Sequence, residues 1–172
     1  GFKGLFLGIT DGVTQMLMDF CLVGERGKNG MYNLKQKQLD ARFTKERKAE
    51  SHTAKRIKEY DESKITLMIE MIKRLIARKI HFDYILADSW FACAEVIKFV
   101  TSRHIKCHYL GMIKMGKTKY HYNRKDYTAK ALVALFDHPK KGRKYSRCLG
   151  CYYVVVDVEF AGRKVRLFFT KR

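Results

Sequence analysis

Residues 82–92, Phe-Asp-Tyr-Ile-Leu-Ala-Asp-Ser-Trp-Phe-Ala, constrain the fold of this chain more than any other stretch. Tyr84, Ile85, Leu86 and Ala87 form a short apolar run of the kind found in a covered sheet. The run ends at Asp88, and apolar residues then recur at helical spacing at Phe91, Ala94, Ile97 and Val100, with Lys98 and Arg103 off that stripe. A further strand is expected over about 107–113. Ahead of the run, Ile65, Met68, Ile69, Ile72, Leu75 and Ile76 mark an amphipathic helix over 62–79, capped by Asp61 or Ser63. Helix, strand, helix, strand in that order predicts a crossover unit with parallel strands. Asp88 then falls at the C-terminal end of a strand, where open α/β sheets place ligands and metals.

The surroundings of that carboxylate are strongly basic. Lys and Arg number 36 against 17 Asp and Glu, a net charge of +19 over 172 residues. Such a field attracts nucleic acid or an anionic membrane surface. No apolar run reaches the ~18 residues of a transmembrane helix, and no signal-peptide pattern opens the chain. Nucleic acid is the expected partner, and cytoplasm the expected setting. Five cysteines (Cys21, Cys93, Cys107, Cys148, Cys151), odd in number and mostly within apolar segments, read as reduced thiols and not as a disulfide framework. The chain opens on Gly1 without a methionine, and residues 168–172 close it in or just after a strand, so both ends are expected to be cut.

Either side of the crossover unit the pattern changes. Residues 4–22 read as a β-hairpin about Asp11-Gly12, a two-residue turn signal. Its register would set Leu7 against Met16, Leu5 against Met18 and Phe6 against Leu17. Both faces are apolar, which predicts a hairpin inside a covered sheet. Turn chemistry accounts for Asp11. Residues 24–60 are polar and basic, helical in part from about 45, and read as a solvated linker or, with this net charge, as an arm that lays Lys35, Lys37, Arg42, Lys45, Arg47 and Lys48 on phosphates. From 116 onward the texture is strand-rich: a small hairpin around Tyr120, His121, Tyr122 and Tyr127, a short helix over 128–136, and a strong hairpin about Ala161-Gly162. The last pairs Glu159 with Lys164 and Asp157 with Arg166 on one face, and Val158 with Val165 and Val156 with Leu167 on the other.

Three constellations carry candidate chemistry. Lys117, Lys119, Arg124 and Lys125 interleave with tyrosines, a mixture that suits phosphate contacts with base stacking, although tyrosines are equally good strand formers. His104, Cys107, His108, Cys148 and Cys151 make a weak zinc pattern, since neighbours on a strand point to opposite faces and a closed site needs four convergent ligands. Gly111, Gly116, Lys117 and Thr118 have phosphate-loop spacing, but strand-like residues follow where that loop requires a helix. Asp88 itself has two readings, a capping residue or a metal ligand. Ser89 is equally placed to cap the following helix.

Leu86-Ala87-Asp88-Ser89-Trp90-Phe91 resembles the second-aspartate motif of bacterial DDE transposases of the insertion-sequence-four group. Residues 1–12 resemble the hairpin that follows the first catalytic aspartate of that family, and residues 111–114 and 120–127 its strand insertion. The resemblance implies an α/β, ribonuclease-H-like mixed sheet with helices. Residues 1–115 would form part of the catalytic core, with 24–60 as the basic linker or arm, and 116–172 a β-rich antiparallel insertion. It implies metal-dependent DNA cleavage and strand transfer, with DNA as substrate, a homodimer as the intact form and a nucleoid-associated location. Three carboxylates would hold two Mg2+ or Mn2+ ions about 3.5–4 Å apart. Of the three, only Asp88 falls on a catalytic position. The first aspartate and its central strand are expected upstream of Gly1, and the glutamate of the Tyr-Arg-Glu-Lys signature, with the C-terminal helix, beyond Arg172. Two other readings stand beside this one: a basic nucleic-acid-binding domain without chemistry, and a ribonuclease-H-like nuclease that pairs Asp88 with Asp11 or Asp19.

Overall fold

The computed structural model describes residues 3–24, 37, 45–102, 104–137 and 142–171. The chain is mixed α/β and forms two compact units, Gly1–Phe82 and Asp83–Arg172. The strand that ends at Asp88 and the strand-rich part from 116 onward both lie in the second unit.

In the first unit, β1 (Lys3–Thr10) and β2 (Gln15–Val23) form an antiparallel hairpin, followed by α1 (His52–Glu59) and α2 (Lys64–Ala77). The register differs from the expected one. Thr10 pairs with Gln15 and Ile9 with Met16, and after a bulge at Leu7/Gly8 Leu5 pairs with Cys21 and Phe6 with Phe20. The cause is the Asp11 side chain, whose Oδ1 accepts from the N–H groups of Val13 (2.9 Å) and Thr14 (2.6 Å). Those bonds favour a four-residue loop over a two-residue turn, with Gly12 at φ 94° inside it. The bulge then returns Cys21 and Val23 to the inner face.

Ser63 caps α2 by accepting from the Thr66 N–H. The buried stripe of α2 is Leu67, Met68, Met71, Ile72 and Leu75, rotated from the expected one, so that Ile76 lies exposed. Leu67 and Met71 pack with Cys21, Val23, Leu5 and Leu7 into the core of this unit. Each such apolar side chain contributes about 1.5–3 kcal/mol on burial. The expectation of a hairpin covered on both faces is corrected here. Phe6 (64% exposed), Leu17, Phe20 and Leu22 share the face turned away from this core and stay exposed, with the Arg56 guanidinium over the Phe20 ring, 5.5 Å from its centre.

In the second unit, β3 (Tyr84–Ala87) and β4 (His108–Gly111) pair in parallel, Tyr84 with His108 through Ala87 with Gly111, connected through α3 (Ala94–Val100). Ile85, Val96, Ile97 and Val100 are buried, while Tyr84, Leu86 and Leu110 on the opposite face are exposed. The helix starts at Ala94, later than the sequence suggested. Its N-cap is Cys93, which makes no side-chain capping bond, so the expectation of Ser89 as the cap is corrected.

The rest of this unit is a five-stranded antiparallel sheet with one helix. β5 (Lys119–Tyr122) and β6 (Lys125–Thr128) form a hairpin whose turn residues Asn123 and Arg124 both have positive φ. α4 (Ala129–Phe136), capped by Thr128, follows at once. β8 (Cys151–Phe160) pairs with β9 (Arg163–Lys171) along its length. Its other edge takes β7 (Lys144–Ser146) at one end and β5 at the other. The β8–β9 register is the expected one, Glu159–Lys164, Val158–Val165, Asp157–Arg166 and Val156–Leu167. Val154, Val156, Val158 and Leu167 face Ala129 and Leu132 of α4, giving this unit a strongly buried core.

Candidate functional site

Asp88 lies directly after β3, exposed, in the turn that leads to α3. Its Oδ1 accepts the Trp90 N–H at 2.8 Å and its carbonyl accepts the Phe91 N–H at 3.2 Å. The carboxylate therefore shapes its own turn through one oxygen and caps no helix, since the next helix begins only after Cys93. The Met112 N–H donates to the Ala87 carbonyl at 3.2 Å, extending the β3–β4 ladder up to the junction.

A residue the sequence did not single out supports this turn from behind. Tyr109, on β4, donates its phenol to the Phe91 carbonyl at 3.1 Å. Burial pushes the Tyr109 phenol up to about 12, with the Cys93 and Asp88 charges adding to the shift. Gly111 leaves the ring its space, since a Cβ there would stand 2.5 Å from the phenol oxygen. Its only trace in the sequence is the alternation of β4, which turns Tyr109 inward and His108 and Leu110 outward. Lys114 was also missed: its Nζ stands 4.6 Å from the centre of the Trp90 ring.

The other carboxylates weighed for a metal are engaged within the first unit. The hydrogen bond from Thr14, then that from Val13, hold the Asp11 carboxyl below the usual range. Asp19 is flanked by Arg56 (2.8 Å) and Arg74 (2.7 Å), and Glu59 bridges the same two guanidinium groups at 2.9 and 2.7 Å. Burial pushes the Asp19 carboxyl up, but hydrogen bonds from Arg56 and Arg74 more than offset it and hold the group below its ordinary value. This network ties β2 to α1 and α2, a structural role. Among the described residues no three His, Cys, Asp or Glu side chains converge as a metal site. The cysteines are all free thiols.

The basic residues divide between the units. In the first, Lys37, Lys45, Arg47 and Lys48 are exposed; Lys35 and Arg42 lie outside the described residues. In the second, Lys117, Lys119, Arg124 and Lys125 are exposed on the segment before β5 and on the β5–β6 hairpin. The tyrosines between them do not offer stacking faces. Tyr120 is buried, and Tyr122 and Tyr127 pack partly buried on the same core, with the Tyr122 ring edge-on to Phe136 at 5.1 Å. The strand period explains the split, since it turns alternate residues inward. After Gly111 and Gly116 the chain enters β5 and not a helix, which removes the phosphate-loop geometry.

Among the described residues no helix is long and apolar enough to cross a membrane. No protein-family model matches the chain, and no curated protein and no solved structure matches it either.

Proposed function

We propose that this chain is part of a DDE-type DNA transposase, a ribonuclease-H-like catalytic segment in which Asp88 is one metal-binding carboxylate and the basic residues hold DNA. The observation that carries this reading is the position of Asp88: an exposed carboxylate immediately after a parallel strand, in the turn to the next helix. The resemblance of residues 86–91 to the family's second-aspartate motif points the same way, as does the net charge of +19.

Asp88 fits as one ligand of a divalent-ion set. It is exposed, and only its Oδ1 takes a backbone hydrogen bond in the turn. On this reading the other two carboxylates lie outside the 172 residues. Magnesium ions held in part by Asp88 would supply activation of a water or 3′-hydroxyl and stabilisation of the leaving oxygen. The chain's own residues do the rest. The Trp90 N–H fixes the rotamer of Asp88, Tyr109 holds the turn that carries it, and Lys117, Lys119, Arg124 and Lys125 neutralise phosphates.

The test is DNA cleavage in Mg2+ or Mn2+ by the 172-residue chain and its Asp88→Asn variant. With one carboxylate of three, the chain is expected to be inactive. Robust cleavage abolished by Asp88→Asn would overturn the fragment reading in favour of a self-sufficient nuclease.

A further inference from the structure

We propose that Trp90 and Lys114 form a nucleotide clamp beside Asp88 that binds an unpaired base and its phosphate in single-stranded DNA. The proposal rests on the DNA-processing function above and deepens it, by naming the form of substrate that reaches this turn and the side chains that hold it.

Trp90 lies two residues from the candidate metal ligand and keeps 48% of its surface in water. Its backbone is held on both sides. Its own N–H is bonded to Asp88, and the carbonyl of the next residue, Phe91, accepts both the Tyr109 phenol and the Cys93 N–H (2.9 Å). The indole is therefore presented from a fixed turn and does not hang from a free loop. Lys114 reaches it from the segment that leaves β4, which the Met112 N–H anchors to the Ala87 carbonyl. Two pieces of chain separated in sequence thus bring an aromatic face and an ammonium group together on the turn that carries Asp88.

The chemistry of this pair selects its ligand. An indole face stacks on any base that is not already stacked on both sides, and a single strand offers such bases where a duplex does not. A lysine ammonium on a flexible stem is a point charge for a phosphate oxygen. Asp88 would repel that phosphate, and the Lys114 ammonium, held over the Trp90 ring, supplies the opposite charge on the same turn. Exposed Lys117 and Lys119 continue the basic track along the strand that enters β5. A bare anion would use the lysines and leave the indole untouched, so the aromatic half of the clamp is what distinguishes a nucleotide from phosphate alone.

Trp90 is the only tryptophan in the chain, so its emission reports this site and no other. The experiment titrates the 172-residue protein with a labelled oligothymidylate of about 12 nucleotides, an ordinary single-strand site size. A duplex of the same length is run in parallel, with anisotropy following binding and Trp90 emission following the site. The single strand is expected to quench Trp90 as it binds. Trp90→Ala should weaken single-strand binding about tenfold and duplex binding much less, with Trp90→Phe restoring most of the loss. Lys114→Gln, an exposed change that leaves both cores intact, should lower the salt slope for the single strand by about 0.7. Saturating anisotropy with unchanged Trp90 emission, or wild-type affinity in Trp90→Ala, would overturn the clamp and leave the DNA-binding reading standing. Absence of binding to either form at low salt would overturn both.

Discussion

Two long β-hairpins among the described residues look alike in sequence and behave differently. β8–β9 turns at Ala161-Gly162 and folds in the register its side chains dictate. β1–β2 carries the stronger turn signal, Asp11-Gly12, and folds in another register with a four-residue loop and a bulge. In β8–β9 one face is apolar and the other carries Asp157 against Arg166 (2.6 Å), so a one-residue slip would bury charge and expose valine. In β1–β2 both faces are apolar, and a slip costs little in burial. Local chemistry then decides: Asp11 draws the loop longer, and Asp19 has to meet Arg56 and Arg74. Turn dipeptides locate a hairpin, whereas segregation of its faces fixes its register.

The largest expected effect separates the two hairpins by what lies beneath them. Leu132→Ala removes a fully buried side chain from under β8 and should destabilise the second unit by about 2–5 kcal/mol. Chemical denaturation of the purified chain measures it. If β8–β9 held its register by cross-strand pairing alone, its loss midpoint would not move.

Next comes the ion network that positions β2. Asp19→Ala leaves Arg56 and Arg74 facing Glu59 alone and should cost about 1.5–3 kcal/mol, the range for hydrogen bonds to charged groups. The same carboxylate gives the first unit an acid limit. Its folded pKa is depressed, so the unfolded chain binds the proton more readily. The stabilisation is complete above the unfolded value of about 3.9 and is lost as pH falls through the folded one. An acid titration followed by hydrogen exchange should show β2 opening earlier than β8, with the difference diminished in Asp19→Asn.

A smaller effect is expected at the turns. Gly162 has φ 72°, and Gly162→Ala should cost about 1–2 kcal/mol while β8–β9 keeps its register. Asp11→Ala should act differently, shortening the loop and shifting cross-strand proximities in β1–β2 toward the two-residue turn, as amide nuclear Overhauser effects would reveal. An unshifted register in Asp11→Ala would show that the Asp19 network alone sets it.

The same contrast explains what the sequence made legible. The helix over Lys64–Ala77, the strand Tyr84–Ala87 and its parallel pairing with His108–Gly111, and the β8–β9 pairing all follow from periods of 3.6 and 2. The candidate site was legible at Asp88 because a strand run ends there. Tyr109 and Lys114 were not, since each reaches the Asp88 turn from a segment about twenty residues away, and no local pattern encodes that distance. The tyrosines of β5 and β6 were ambiguous because one residue type serves both core and stacking. Only the placement of α4 against the sheet decides for the core.

The central claim is that this surface handles a polyanion, and the salt dependence of DNA binding tests it most directly. If six to ten lysines and arginines meet phosphates, affinity should fall roughly 10³–10⁵-fold between about 50 and 200 mM salt, with a log–log slope proportional to the contacts made. An affinity unchanged over that range would contradict the account.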